Sequence, residues 1–125
     1  MMFSIESKNN ADTLADATSA LRASIASATH TIHDGLTPAY ILGNIVAATR
    51  ELGEVLDELS QWHSHNASHA QDQQGTSTTG GIQALKTAAI LAQTAITLDQ
   101  ANDQIMEALS LTNQTIWLLP QRELL

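Results

Sequence analysis

Between residues 84 and 116 the chain keeps one spacing. Ala84, Ala88, Leu91, Ala95, Leu98, Asn102, Ile105, Leu109, Thr112 and Ile116 follow one another at steps of four and three. Residues so spaced share one face of an α-helix, whereas a half-buried strand needs alternation at every second residue. The positions across that helix, Lys86, Gln93, Gln100, Glu107 and Gln114, are all polar. The two faces agree, and they predict a helix over 82–118 that starts after Gly80-Gly81 and is stopped by Pro120. Its length is roughly 50 Å at 1.5 Å per residue.

Two earlier segments carry the same rhythm. Leu14, Thr18, Leu21, Ile25, Ala28 and Ile32 form a first stripe, predicting a helix over 10–34 with Asn10 as its N-cap. HDGLTP ends it, with Gly35 suited to the left-handed position after a helix. Thr37 reads as the next N-cap and Pro38 as the first helical residue, predicting a second helix over 37–67. Its main stripe is Ile41, Ile45, Ala48, Leu52, Val55, Leu59 and Trp62, and Leu42 and Leu56 open a second column beside it. A face that wide should meet more than one neighbour. Arg50, Glu51, Glu54, Asp57 and Glu58 fall on the opposite, solvated side.

Between the second and third helices runs a Ser-, Thr-, Gln-, His- and Gly-rich stretch. It buries too little apolar area to offset chain entropy, so 68–81 reads as a flexible linker. Short joint, long joint and three stripes give an all-α reading: one domain over 1–125, an up-down-up antiparallel bundle of three helices, the third long. The low aromatic share of 3% and the many alanines suit close-packed helices rather than a β-sandwich.

Net charge and motif content narrow the function. With 5 Lys and Arg against 13 Asp and Glu, a net charge of −8, the chain has no electrostatic footprint for nucleic acid or anionic membranes. There is no cysteine, hence no disulfide or thiolate chemistry. MMFSIESKNN is not a signal peptide, and the longest apolar run, AYILGNIVAA, is half a membrane span. A cytoplasmic protein is expected, with export lacking a cleaved signal as the alternative. No Glu-x-x-His, Gly-x-Gly-x-x-Gly, Walker A or Gly-x-Ser-x-Gly pattern occurs, and no enzyme activity or cofactor is expected.

Histidines supply the one ligand-like pattern. His63, His65 and His69 stand together in QWHSHNASHA, and His65 and His69 are spaced to share a helical face. Such a pair can hold a divalent ion, which makes a metal-responsive protein the alternative reading. His30 and His33 would lie at the other end of the bundle, too distant to join them.

The leading expectation rests on surplus apolar surface. Leu85, Ile90, Ile96, Met106 and Leu111 lie off the main stripe of the third helix, and Trp117-Leu118-Leu119 extends past the first helix. We therefore expect a non-enzymatic interaction or assembly protein, completed by self-association, that binds its partner through Met106, Leu109, Trp117, Leu118 and Leu119. Asn102, on the core stripe, would fix register, or would sit at the edge in water if the stripe drifts. In size and acidity the chain resembles the small helical-hairpin substrates of type VII secretion. Their Trp-x-Gly turn has no counterpart in HDGLTP, and Trp62 is followed by His63-Ser64. The resemblance is architectural, and a secreted helical effector or its chaperone partner is the third reading it leaves.

Overall fold

The computed structural model describes residues 5–28 and 36–118. It contains α1 (Ile5–Ala28), α2 (Leu36–His65), a short 3₁₀ turn (Ala67–His69) and α3 (Ser77–Gln114). Among the described residues there is no strand, and no helix is long and apolar enough to cross a membrane. The chain divides into two compact units, one holding α1 and the residues from Trp117 onward, the other spanning Gly35–Ile116.

In the first unit, α1 runs over Ile5–Ala28, so it already covers the five residues before the expected start, while its expected end at 34 lies outside the described residues. Asn10 is consequently an interior residue and not a cap. Thr13 and Thr18 donate their hydroxyls to the carbonyls of Asn9 and Leu14, 2.8 and 2.9 Å away, so neither competes with the helix for backbone partners. Residues 29–35, which include His30, His33 and Gly35, lie outside the described residues.

The second unit is a helical hairpin. Its two arms run antiparallel, as two cross-links show: Arg50 reaches Met106, while Ser60, further along α2, reaches Ala88, further back along α3. Leu36 opens α2, so Thr37 and Pro38 both sit in its first turn, where proline's missing N–H leaves no bond unmade. On α3 the predicted stripe is the one that packs. Ala88, Ala95 and Asn102 are buried, and Ala84, Leu91, Leu98, Ile105, Leu109 and Thr112 are half-buried along the same line.

On α2 the packing column differs from the expected one. Leu42, Val46, Thr49, Gly53, Leu56, Ser60, His63 and Ala67 are buried or half-buried, again at alternating steps of four and three. The bulkier stripe one residue earlier is turned aside: Leu52, Val55, Leu59 and Trp62 remain 41%, 47%, 36% and 40% exposed. The physical reason is the size of the side chains. Gly53 and Ser60 on α2 face the alanine-rich α3, and Ser60 Oγ donates to the Ala88 carbonyl at 2.7 Å. A serine side chain is short, so this bond brings the two backbones close. Leu59 or Trp62 in that place would push them apart.

The joint expected to be a flexible linker over 68–81 is hydrogen-bonded. Asp72 Oδ1 accepts from the amides of Gln74 and Thr76 at 2.9 and 2.8 Å, an Asx turn. Gly75, at φ 83°, supplies the left-handed residue and donates its amide to the Asp72 carbonyl. Then α3 begins at Ser77, so Gly80-Gly81 lies inside the helix rather than before it. These glycines are needed for close approach and not as a hinge. A Cβ on Gly80 would overlap the backbone of Gln71, and one on Gly81 would stand 3.2 Å from the Ala67 carbonyl oxygen. The connector folds back directly over the start of α3.

The far end of α3 also differs. It stops at Gln114, where Thr115 turns extended (φ −93°, ψ 136°) and donates its hydroxyl to the Leu111 carbonyl at 2.7 Å. The Thr115 amide donates to the Thr112 carbonyl at 3.2 Å, a tighter last turn that closes the helix before Pro120. Pro120 itself lies outside the described residues.

Substitution at two helical glycines should therefore act in opposite directions. Gly80→Ala is expected to cost about 2 kcal/mol in urea unfolding, from backbone overlap. Gly43→Ala, with nothing within 4 Å of the new methyl, should stabilise by roughly 0.5–1 kcal/mol through helix propensity. Equal effects of like sign would contradict the close approach of Gln71.

Candidate interaction surface

Each helix of the hairpin has a column on either side of its packing line. The columns one residue later meet on one flank. There Arg50, Glu54 and Asp57 of α2 join Ile96, Asp99 and Asn102 of α3 around a cleft of about 310 Å³. Arg50 Nη2 donates to Met106 Sδ at 3.2 Å across this same flank. Three carboxylates against one guanidinium leave it acidic.

Asn102 is the most buried polar side chain in the hairpin, 3% exposed, and its Oδ1 has no hydrogen-bond partner. An unpaired buried amide oxygen costs about 1–3 kcal/mol. Asn102 thus lies on the packing line, and not at its edge in water. Its neighbours at the cleft, Thr49 and Gly53, do not meet its acceptor: Thr49 spends its hydroxyl on the Ile45 carbonyl at 2.8 Å, and Gly53 has no side chain.

The columns one residue earlier meet on the other flank. Ile41, Ile45, Ala48, Leu52, Val55, Leu59 and Trp62 of α2 stand beside Thr87, Ile90, Thr94, Thr97, Ala101, Gln104, Ala108 and Leu111 of α3. This follows from antiparallel packing, in which equivalent offsets from both packing lines fall on the same side, as the cleft shows for the later columns. No charged residue occurs among them. The charges of α2 sit on the acidic flank or on the outward back, at Glu51 and Glu58.

The residues expected to bind a partner are dispersed. Met106 belongs to the acidic flank, tied to Arg50, and Leu109 is half-buried on the packing line of α3. Trp117 and Leu118 follow the end of α3 instead of extending it, and belong to the other compact unit; Leu118 is 92% exposed. Leu119 lies outside the described residues. Only the off-stripe residues Ile90 and Leu111 fall on the uncharged flank. The sequence shows its main stripe on α2, but not that α3 would take the neighbouring column. The signal for that was the run of small residues, Gly53, Ser60 and Ala67, matching Gly81, Ala88 and Ala95 in spacing.

Among the described residues, His63, His65 and His69 do not stand on one regular helix. The shared helical face expected for His65 and His69 is broken, because α2 ends at His65 and the chain passes through Asn66 into the 3₁₀ turn. Asn66 makes the last α-helical bond, its amide donating to the Trp62 carbonyl at 3.0 Å with its side-chain Nδ2 on the same oxygen at 2.9 Å, and beyond it the His69 amide turns to the Asn66 carbonyl in a 3₁₀ bond. His63 is half-buried, its Nδ1 lies 2.7 Å from the Leu59 carbonyl, and its ring meets Trp62 edge-on at 5.0 Å. Among the described residues no three His, Asp or Glu side chains are placed to share a metal ion.

Compared with protein-family models, with curated proteins and with solved structures, the chain matches none.

The Asn102 geometry makes a direct prediction. Asn102→Leu removes an unpaired amide and adds apolar volume on the packing line, and should raise the unfolding free energy by about 1 kcal/mol or more. A loss of stability would show that the amide oxygen has a partner.

Proposed function

We propose that the chain is a non-enzymatic helical interaction protein that works by assembly, as a homo-oligomer or within a helical complex. The observation that carries this reading is the mismatch between what the hairpin buries and what it displays. Among the described residues its buried apolar side chains are Val46, Ala88 and Ala95, while Leu52, Val55, Leu59, Ile90 and Leu111 stay open to solvent. Two helices joined through glycine, serine and alanine remove little apolar surface from water, and a small unit needs more to stand alone. Covering the displayed side chains supplies the missing stabilisation.

Acidity fits the same role. The acidic flank and the outward Glu51 and Glu58 keep those surfaces hydrated and limit association to the uncharged ones. The Trp117-Leu118 segment offers further exposed apolar surface to a partner, as does Tyr40, which is also exposed.

Light-scattering mass after size exclusion, on untagged full-length chain with and without chelator, tests the reading. A dimer or higher oligomer, unchanged by chelator, is expected at tens of micromolar. A monomer that assembles only on adding Zn²⁺ would overturn it in favour of the His63–His69 segment.

A further inference from the structure

We infer that the uncharged flank of the α2–α3 hairpin is covered by the same flank of a second copy of this chain, forming an isologous four-helix core. This rests on the reading that the chain associates, and it adds the surface and the occupant.

Three observations choose the surface. First, the flank carries no charged residue over the length of α2 from Ile41 to Trp62, about 32 Å at 1.5 Å per residue, in a chain with 14% charged residues. Second, its threonine hydroxyls are already satisfied, which leaves Gln104 as the polar group a second copy must pair or leave at the rim. Thr87, Thr94 and Thr97 donate their hydroxyls to the carbonyls of Gln83, Ile90 and Gln93, at 2.8, 2.8 and 3.1 Å. Threonines bonded within their own helix can be covered without stranding a donor, and they then act as methyl-bearing residues. Third, the large side chains form a continuous row. Leu52, Val55, Leu59 and Trp62 on α2 face the flank together with Ile90 (65% exposed) and Leu111 (59%) on α3.

Charge and area choose the occupant. A basic partner would be drawn to the Glu54–Asp57–Asp99 flank, not to a face with nothing to pair. Two copies, each at −8, repel everywhere except where charge is missing, and this flank is that place. Its large side chains expose on the order of 500 Å² per copy. A pair of flanks thus removes roughly 1,000 Å² before Thr and Ala are counted, the threshold for a specific interface. The sequence of α1 fits the flank less well: within Ile5–Ala28 its stripe offers three large apolar residues, Leu14, Leu21 and Ile25, and the helix carries Glu6, Lys8, Asp12, Asp16 and Arg22.

The experiment combines mass with proximity on the full chain, which has no cysteine of its own to interfere. Leu52→Glu/Leu59→Glu should halve the mass of the wild-type dimer, while Glu54→Gln/Asp57→Asn on the other flank should leave it unchanged. Val55→Cys should be joined into a covalent dimer by a short bismaleimide, and Gln61→Cys should not. The cysteine variants keep the test decisive if the double glutamate variant fails to fold. A dimer that survives Leu52→Glu/Leu59→Glu but dissociates in Met106→Ala or Trp117→Ala would overturn this surface and leave the assembly reading standing. A monomeric wild type in which Val55→Cys resists thiol reagents would overturn both, because the flank would then be covered within one chain.

Discussion

Everything described in the hairpin depends on how closely α2 and α3 approach. Ser60 reaches the Ala88 carbonyl, Gly53 shares the cleft with Ala95, and Gly80 lies against the backbone of Gln71. Each contact uses a residue with little or no side chain. A seam of this kind gains from dispersion between backbones and small groups, and less from burying large apolar area. It also fixes rotation. Once the small column of α2 faces α3, the large column one position earlier must turn away, because successive residues on a helix stand about 100° apart.

That rotation sorts the surface chemically. One flank receives the carboxylates of Glu54, Asp57 and Asp99, and the other receives leucine, valine, isoleucine, tryptophan, threonine and alanine, with Gln104 its one amide. The connector helps to hold the arrangement. The Asx turn at Asp72 and the left-handed Gly75 return the chain onto α3, and the two following glycines accept it without a clash. Asn102 is the exception in the seam, a buried amide with an unpaired oxygen beside the cleft. Its destabilising effect is the clearest local departure from a seam otherwise made of small and apolar groups.

The helical class and the packing line of α3 were legible because one residue pattern served both. Ala84 through Thr112 repeat at heptad steps, and the polar Lys86–Gln114 positions confirm the opposite face. On α2 two adjacent columns competed, and hydrophobicity ranked the wrong one first, since Leu59 and Trp62 outweigh Ser60 and His63 on any transfer scale. Geometry decided instead, through complementarity with alanines on α3. The connector was misread for a similar reason: polar composition says nothing about an Asp72 side chain that caps two amides, or about glycines kept small by a neighbouring backbone. The end of α3 falls at Gln114, with Thr115 extended, a place that no residue marks in sequence as plainly as Pro120 does. As for the interaction surface, its side chains were visible individually, but the flank they share required the register of the two helices.

The most direct test of that register is a methyl-resolved NOE spectrum of the full chain. The account predicts cross-peaks from the Ala88 methyl to the Ser60 protons and from the Ala95 methyl to the Gly53 protons, with none from either alanine to Leu52 or Leu59. Cross-peaks from Ala88 and Ala95 to the Leu59 and Leu52 methyls would contradict it. They would mean that α2 is rotated by one position, that its large column forms the seam, and that the uncharged flank does not exist as described.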